Sequence, residues 1–91
     1  MAFKYATEPR FKRRLRKKTA AQQEAVLACI ELVIANPFPG GGLKTKLLQA
    51  AGPERVYYAR IDRASRLTFH FDGEVIVFRN HCEHDEVLRR P

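Results

Sequence analysis

An α+β layer, with two N-terminal helices packed on one face of a small, mainly antiparallel sheet, is the architecture this sequence predicts. Three observations carry it. Apolar residues recur at helical spacing in the first third of the chain. They alternate at period two from residue 55 onward. Between two alternating runs stands Asp72-Gly73, a strong signal for a two-residue hairpin turn.

Residues 2–6 read as a short first strand, with Phe3 and Tyr5 on one face and Lys4 and Ala6 on the other. Thr7 or Glu8 can cap the helix that follows, and Pro9 falls in its first turn, where a missing N–H costs nothing. Phe11 and Leu15 form an i,i+4 apolar pair on this helix, and the rest of its surface is Arg10, Lys12, Arg13, Arg14, Arg16, Lys17 and Lys18. Thr19-Ala20-Ala21-Gln22 matches a capping box and restarts the helical pattern. Val26, Leu27, Ile30, Val33 and Ile34 then form one stripe, which Asn36-Pro37 ends, because the residue before proline avoids helical backbone angles. The run Pro37-Phe38-Pro39-Gly40-Gly41-Gly42 is loop by composition. Residues 43–48 are ambiguous, compatible with irregular chain over the core, and 51–54 form a turn. Strands are expected over 55–61, 66–72 and 74–80, and a polar segment over 81–91. The order is β-α-α-β-β-β.

The chain's 91 residues suit one domain, 1–91, with a single modest core. A 45% hydrophobic composition excludes disorder. Seventeen Lys and Arg against ten Asp and Glu leave a net charge of +7, which attracts polyanions: nucleic acid, an acidic protein segment or an anionic membrane. With only Phe11 and Leu15 apolar, the first helix is too weakly amphipathic for a membrane surface, and no membrane partner is expected. Two cysteines make no disulfide scaffold and suit a reducing compartment. No apolar run approaches a membrane span and no signal-peptide core is visible, so a cytoplasmic protein is expected.

The hairpin fixes a register. A turn at Asp72-Gly73 pairs Phe71 with Glu74, Phe69 with Ile76 and Leu67 with Phe78, and places Arg66 across from Arg79. Leu67, Phe69, Ile76 and Phe78 then share the core face. If Ala59 and Ile61 join them through an odd-length loop, Tyr58 and Arg60 join the opposite face. Three arginines, Arg60, Arg66 and Arg79, are thereby gathered on one open surface. Such like-charge crowding is tolerated when the face is well solvated or when an anion sits there.

The whole chain resembles the RelE/ParE toxin superfamily in element order and in several short motifs. Asn36-Pro37, the glycine run and Leu43-Lys44 look like the stretch after that family's second helix. Tyr58-Ala59-Arg60-Ile61-Asp62-Arg63 with Arg66-Leu67-Thr68-Phe69 looks like its hairpin, and His84-Asp85-Glu86-Val87-Leu88 like its C-terminal tail. The resemblance implies the toxin of a type II toxin–antitoxin pair. RelE-like members are messenger-RNA endoribonucleases acting in the ribosomal A site; ParE-like members poison DNA gyrase. Both are neutralised by an antitoxin that wraps them. The implied partners are a cognate acidic antitoxin with mRNA and the ribosome, or alternatively DNA gyrase; a catalytically silent binding module is the third reading.

Cleavage by this family's route, which implies no metal and no cofactor, uses the substrate's own 2′-hydroxyl. The enzyme moves two protons and stabilises a phosphate carrying extra negative charge. Arginine suits the phosphate through its planar fork, histidine the protons. By the resemblance, Arg66 contacts the scissile phosphate, His84 acts as acid or base, and Arg60 matches a basic residue of the preceding strand. Arg79, Lys44, Lys46 and His81 are candidate substrate-binding residues, and His70 and His81 compete with His84 for the proton-transfer role. The sequence departs from RelE at Leu88 and Ser65, where tyrosine is common, which favours a histidine-dependent mechanism or a ParE-like toxin. His81-Cys82-Glu83-His84-Asp85 crowds its donors too closely for a tetrahedral metal site.

Overall fold

A computed structural model describes residues 3–38, 46–49 and 55–83, and these form seven elements: β1 (Lys4–Thr7), α1 (Pro9–Arg16), α2 (Ala20–Ala35), β2 (Lys46–Gln49), β3 (Val56–Arg60), β4 (Ser65–Asp72) and β5 (Val75–Glu83). The strands form one sheet in the order β1-β5-β4-β3-β2. β1 runs parallel to β5 and all other neighbours are antiparallel. Both helices pack on one face, as expected. β2 is an addition to the expected order: part of the ambiguous 43–48 stretch pairs with β3 and continues the sheet.

Pro9 opens α1, and Glu8 holds the cap position in extended conformation but makes no side-chain cap bond. Its backbone N–H instead donates to the Phe78 carbonyl at 2.9 Å, tying the helix start to β5. Arg13, Arg14 and Arg16 in the last turn complement the negative end of the helix dipole. The capping box of α2 is formed: the Gln22 N–H donates to the Thr19 hydroxyl at 3.2 Å, and the Thr19 N–H to the Gln22 side chain at 3.0 Å.

The buried stripe of α2 is Val26, Cys29, Ile30 and Val33, with Ile34 partly buried. Leu27, expected within it, is 48% exposed. Each helical residue turns about 100°, so Leu27 lies well off the arc centred on Val26, Ile30 and Val33, while Cys29 falls inside it. With Phe11, these residues meet Ala59, Leu67, Phe69, Ile76 and Phe78 from the sheet, all fully buried. Burial pushes the Cys29 thiol up to about 12, and its S–H reaches the Arg60 carbonyl at 3.5 Å.

The β4–β5 hairpin turns on Gly73-Glu74 rather than Asp72-Gly73. Asp72 pairs with Val75, Phe71 with Ile76 and Phe69 with Phe78. Gly73 has φ of 61°, and glycine takes the first central position because these turns need left-handed backbone there. The expected pairing is therefore displaced by two residues. A shift of two leaves every side chain on its own face, and Leu67, Phe69, Ile76 and Phe78 are all in the core as predicted.

Further along, Phe69 still pairs with Phe78 but Thr68 pairs with Asn80. Arg79 is the extra residue of a β-bulge, which reverses the alternation beyond it. Arg66 consequently lies across from Cys82, not Arg79. The bulge also frees the Arg79 carbonyl, which accepts from Arg10 Nε at 3.0 Å.

Candidate functional site

The sheet face turned away from the helices carries Tyr58, Arg60, Arg66, Thr68, His70, Arg79 and Asn80. Its organising feature is the β3–β4 connection. Arg60 and Arg66 are direct cross-strand partners, since the odd-length loop puts Ala59 and Leu67 in the core. Like charges placed opposite one another repel. Here both side chains curl onto one backbone oxygen: Arg66 Nη1 donates to the Asp62 carbonyl at 2.7 Å, and Arg60 Nε to the same oxygen at 3.4 Å. Arg66 Nη1 also donates to the Ser65 carbonyl at 2.9 Å.

These contacts decide which donors remain. Both protons of Arg66 Nη1 are engaged by the loop, leaving the Nε–Nη2 edge. Arg60 has its Nε engaged, leaving the two terminal nitrogens. Neither guanidinium forms an ion pair among the described residues, where the salt bridge is between Arg10 and Glu8 at 3.4 Å. Two partly exposed cations, each with one guanidinium edge left, make a site suited to an anion with several oxygens.

The loop is closed by the Asp62 carboxylate, whose Oδ1 accepts the N–H groups of Ala64 at 3.0 Å and Ser65 at 2.9 Å. Aspartate is favoured at turn starts for this capacity. Ile61 N–H donates to the Ser65 carbonyl at 3.0 Å. Sequence reasoning named the arginines and an odd-length loop between them, such as 63–65, but not Asp62, although an aspartate three residues ahead of Ser65 is a readable turn signal.

Deeper in the same face lie Thr68 and Asn80, fully buried, and His70, 9% exposed. The Thr68 hydroxyl donates to the Asn80 carbonyl at 3.4 Å. Arg79 Nη1 lies 2.9 Å from His70 Nδ1. A guanidinium can only donate, so His70 Nδ1 accepts and the ring proton sits on Nε2. The bulge explains why Arg79 shares this face with its strand neighbour Asn80.

His81 is placed elsewhere, and its expected role in holding substrate is corrected. The reversed alternation sends it into the core opposite Leu67, where it is 1% exposed. Its Nε2 donates to the Phe11 carbonyl at 2.9 Å, and the two rings meet edge-on with centroids 4.3 Å apart. Burial lowers its pKa from the ordinary 6.5, the Phe11 bond opposes this, and the charges of Lys18 and Arg14 reinforce it. Nδ1 is buried without a hydrogen-bond partner. Lys46 contributes backbone to β2, opposite Tyr58; Lys44 and His84 lie outside the described residues.

Two helices thus lie on one face of a mixed sheet, with the hairpin arginines on the other. No protein-family model matches the sequence, and no curated protein is significantly similar to it. Solved structures are. The archaeal RelE of the RelE–RelB complex from Pyrococcus horikoshii superposes with a TM-score of 0.73 at 16% identity, over 91% of this chain and 96% of that one. The YoeB dimer from Staphylococcus aureus gives 0.71 at 15% identity, over 92% and 98%. YafQ of the E. coli DinJ–YafQ toxin–antitoxin complex gives 0.62 at 14%, over 96% and 98%. The chain has the fold of these toxins along nearly its whole length. No helix among the described residues is long and apolar enough to cross a membrane.

Proposed function

We propose that this protein is the toxin of a type II toxin–antitoxin system, a ribosome-associated endoribonuclease that cuts messenger RNA and stops translation. The observation that carries the reading is the Arg60–Arg66 pair, fixed side by side on the face away from the helices with guanidinium edges left for phosphate oxygens. It stands on the fold shared with RelE, YoeB and YafQ.

In this reading the substrate's 2′-hydroxyl attacks the adjacent phosphorus and the 5′-oxygen leaves. Arg66 presents its Nε–Nη2 edge to the phosphate, and Arg60 its terminal nitrogens. Both are preorganised by the loop, so charge developing on the phosphate is stabilised without rearrangement. His84 moves a proton, as the resemblance implies. His70, whose Nδ1 is held by Arg79, is the described histidine placed on the same face. The partner is an acidic antitoxin, which the net charge of +7 favours, as RelB and DinJ partner the toxins with which they were solved.

Purified protein added to programmed ribosomes tests the reading. Cleavage of the message is expected, and a message with a 2′-deoxy nucleotide at the cleaved position should resist. Intact message together with loss of DNA supercoiling would assign the protein to the gyrase-directed class instead.

A further inference from the structure

We propose that Asp62 is the positioning residue of the Arg60–Arg66 pair, acting through the loop its carboxylate closes and the carbonyl on which both guanidinium groups rest. The proposal rests on the ribonuclease reading for its activity readout, and on anion binding for a second readout that does not need it.

The geometry runs in one direction. Asp62 Oδ1 takes the Ala64 and Ser65 N–H groups at 3.0 and 2.9 Å, which sets the peptide planes of the loop. Those planes aim two carbonyls, Asp62 and Ser65, at Arg66 Nη1, at 2.7 and 2.9 Å. The Asp62 carbonyl also receives Arg60 Nε. Both protons of one Arg66 nitrogen are thereby turned inward, which leaves its side edge as the fork for an oxyanion. Without the closed loop each arginine is a long chain with several rotatable bonds, and repulsion across the strand pair drives the two heads apart.

Asp62 stands two residues from Arg60 and four from Arg66, yet its carboxylate forms no ion pair with either among the described residues. Its negative charge is spent on backbone N–H groups. The arginines therefore receive a neutral carbonyl dipole, which orients them while leaving their full charge for a ligand. A direct Asp–Arg ion pair would neutralise the site it organises.

This makes acceptor reach, and not charge, the quantity that matters, and two variants separate them. Asp62→Asn keeps an oxygen at the same distance and loses the charge. Asp62→Glu keeps the charge and moves the oxygen one methylene outward. Inorganic phosphate is titrated into each full-length protein while the side-chain Nε–H resonances of Arg60 and Arg66 are followed by NMR. Message cleavage on ribosomes is measured in parallel. Asp62→Asn should retain wild-type phosphate shifts and cleavage. Asp62→Glu should lose the shifts and drop kcat by about tenfold or more, since a misplacement near 1 Å can cost on the order of a hundredfold.

The reverse order, with Asp62→Glu active and Asp62→Asn impaired, would overturn the proposal in favour of a role for charge. Wild-type behaviour in both variants, or phosphate leaving both arginine signals of the wild type unmoved, would overturn it equally. If the wild type binds phosphate through the arginines but cuts no message, the ribonuclease reading fails alone, and the phosphate titrations of the two variants decide the role of Asp62.

Discussion

The two faces of the sheet are made by alternate residues of the same strands, and they obey different rules. On the helix side Leu67, Phe69, Ile76 and Phe78 are fully buried against Phe11 and α2. One or two residues away, Arg60, Arg66, Thr68, His70, Arg79 and Asn80 hold polar contacts on the other side. The apolar face is tolerant of a register error, because a displacement by two residues preserves which side chains point inward. The polar face is not, because its contacts depend on which residue stands opposite which. Arg66 faces Arg60 and Cys82, not Arg79, and the chemistry available follows from that.

Breaking the helix side should cost the most stability. Phe11 is fully buried, touches the rings of Phe78 and His81, and offers its carbonyl to His81. Phe11→Ala should destabilise the domain by about 3–5 kcal/mol, read as a fall in the denaturant midpoint, and at this size should leave little folded protein. A loss under about 1 kcal/mol would mean that α1 is not anchored through this residue.

His81 is the polar residue that breaks the apolar rule, and it gives that side a pH dependence. Its folded pKa is depressed, so the unfolded chain takes up a proton first as pH falls. Stability from this group is complete above the ordinary 6.5 and is lost as pH falls from there toward the folded value. Protonation would place a second N–H on the unpartnered Nδ1, beside Lys18 and Arg14. Thermal melts from pH 8 to pH 5 should show the decline, and His81→Gln should flatten it. An equal slope in the variant would assign the acid sensitivity to other groups.

Smaller effects sharpen the boundary of the helix side. Thr19→Ala removes the hydroxyl that accepts the Gln22 N–H and should cost about 1 kcal/mol. Leu27→Gln, at a position 48% exposed, should change stability by under about 0.5 kcal/mol. A cost for Leu27→Gln as large as for a core residue would restore the stripe the sequence suggested.

Much of this division is legible in the sequence. Period-two alternation identified the inward residues of β4 and β5, and hydrophobic matching across the β3–β4 loop placed Arg60 beside Arg66. Thr19 and Gln22 announced the start of α2. What was not legible has local causes. Lys46–Gln49 reads KLLQ, too short and unpatterned to mark an edge strand. Cys29 was left out of the stripe in favour of Leu27, although free cysteine is among the most buried residue types and its spacing from Val26 and Val33 fits. The bulge at Arg79 has no glycine to signal it, so the transfer of His81 to the core was hidden, and with it the contact of Arg79 with His70.

The central claim is that the face away from the helices performs the chemistry while the other maintains the fold, and Arg66 tests it most directly. The measurement is the single-turnover rate of message cleavage on ribosomes by wild type and Arg66→Ala, with melting temperatures taken on the same preparations. Removal of one preorganised donor to a reacting oxyanion should slow cleavage by roughly a hundredfold or more, while loss of this partly exposed strand arginine should change stability by about 0.5 kcal/mol or less. Equal cleavage rates for the two proteins, at equal stability, would contradict the account.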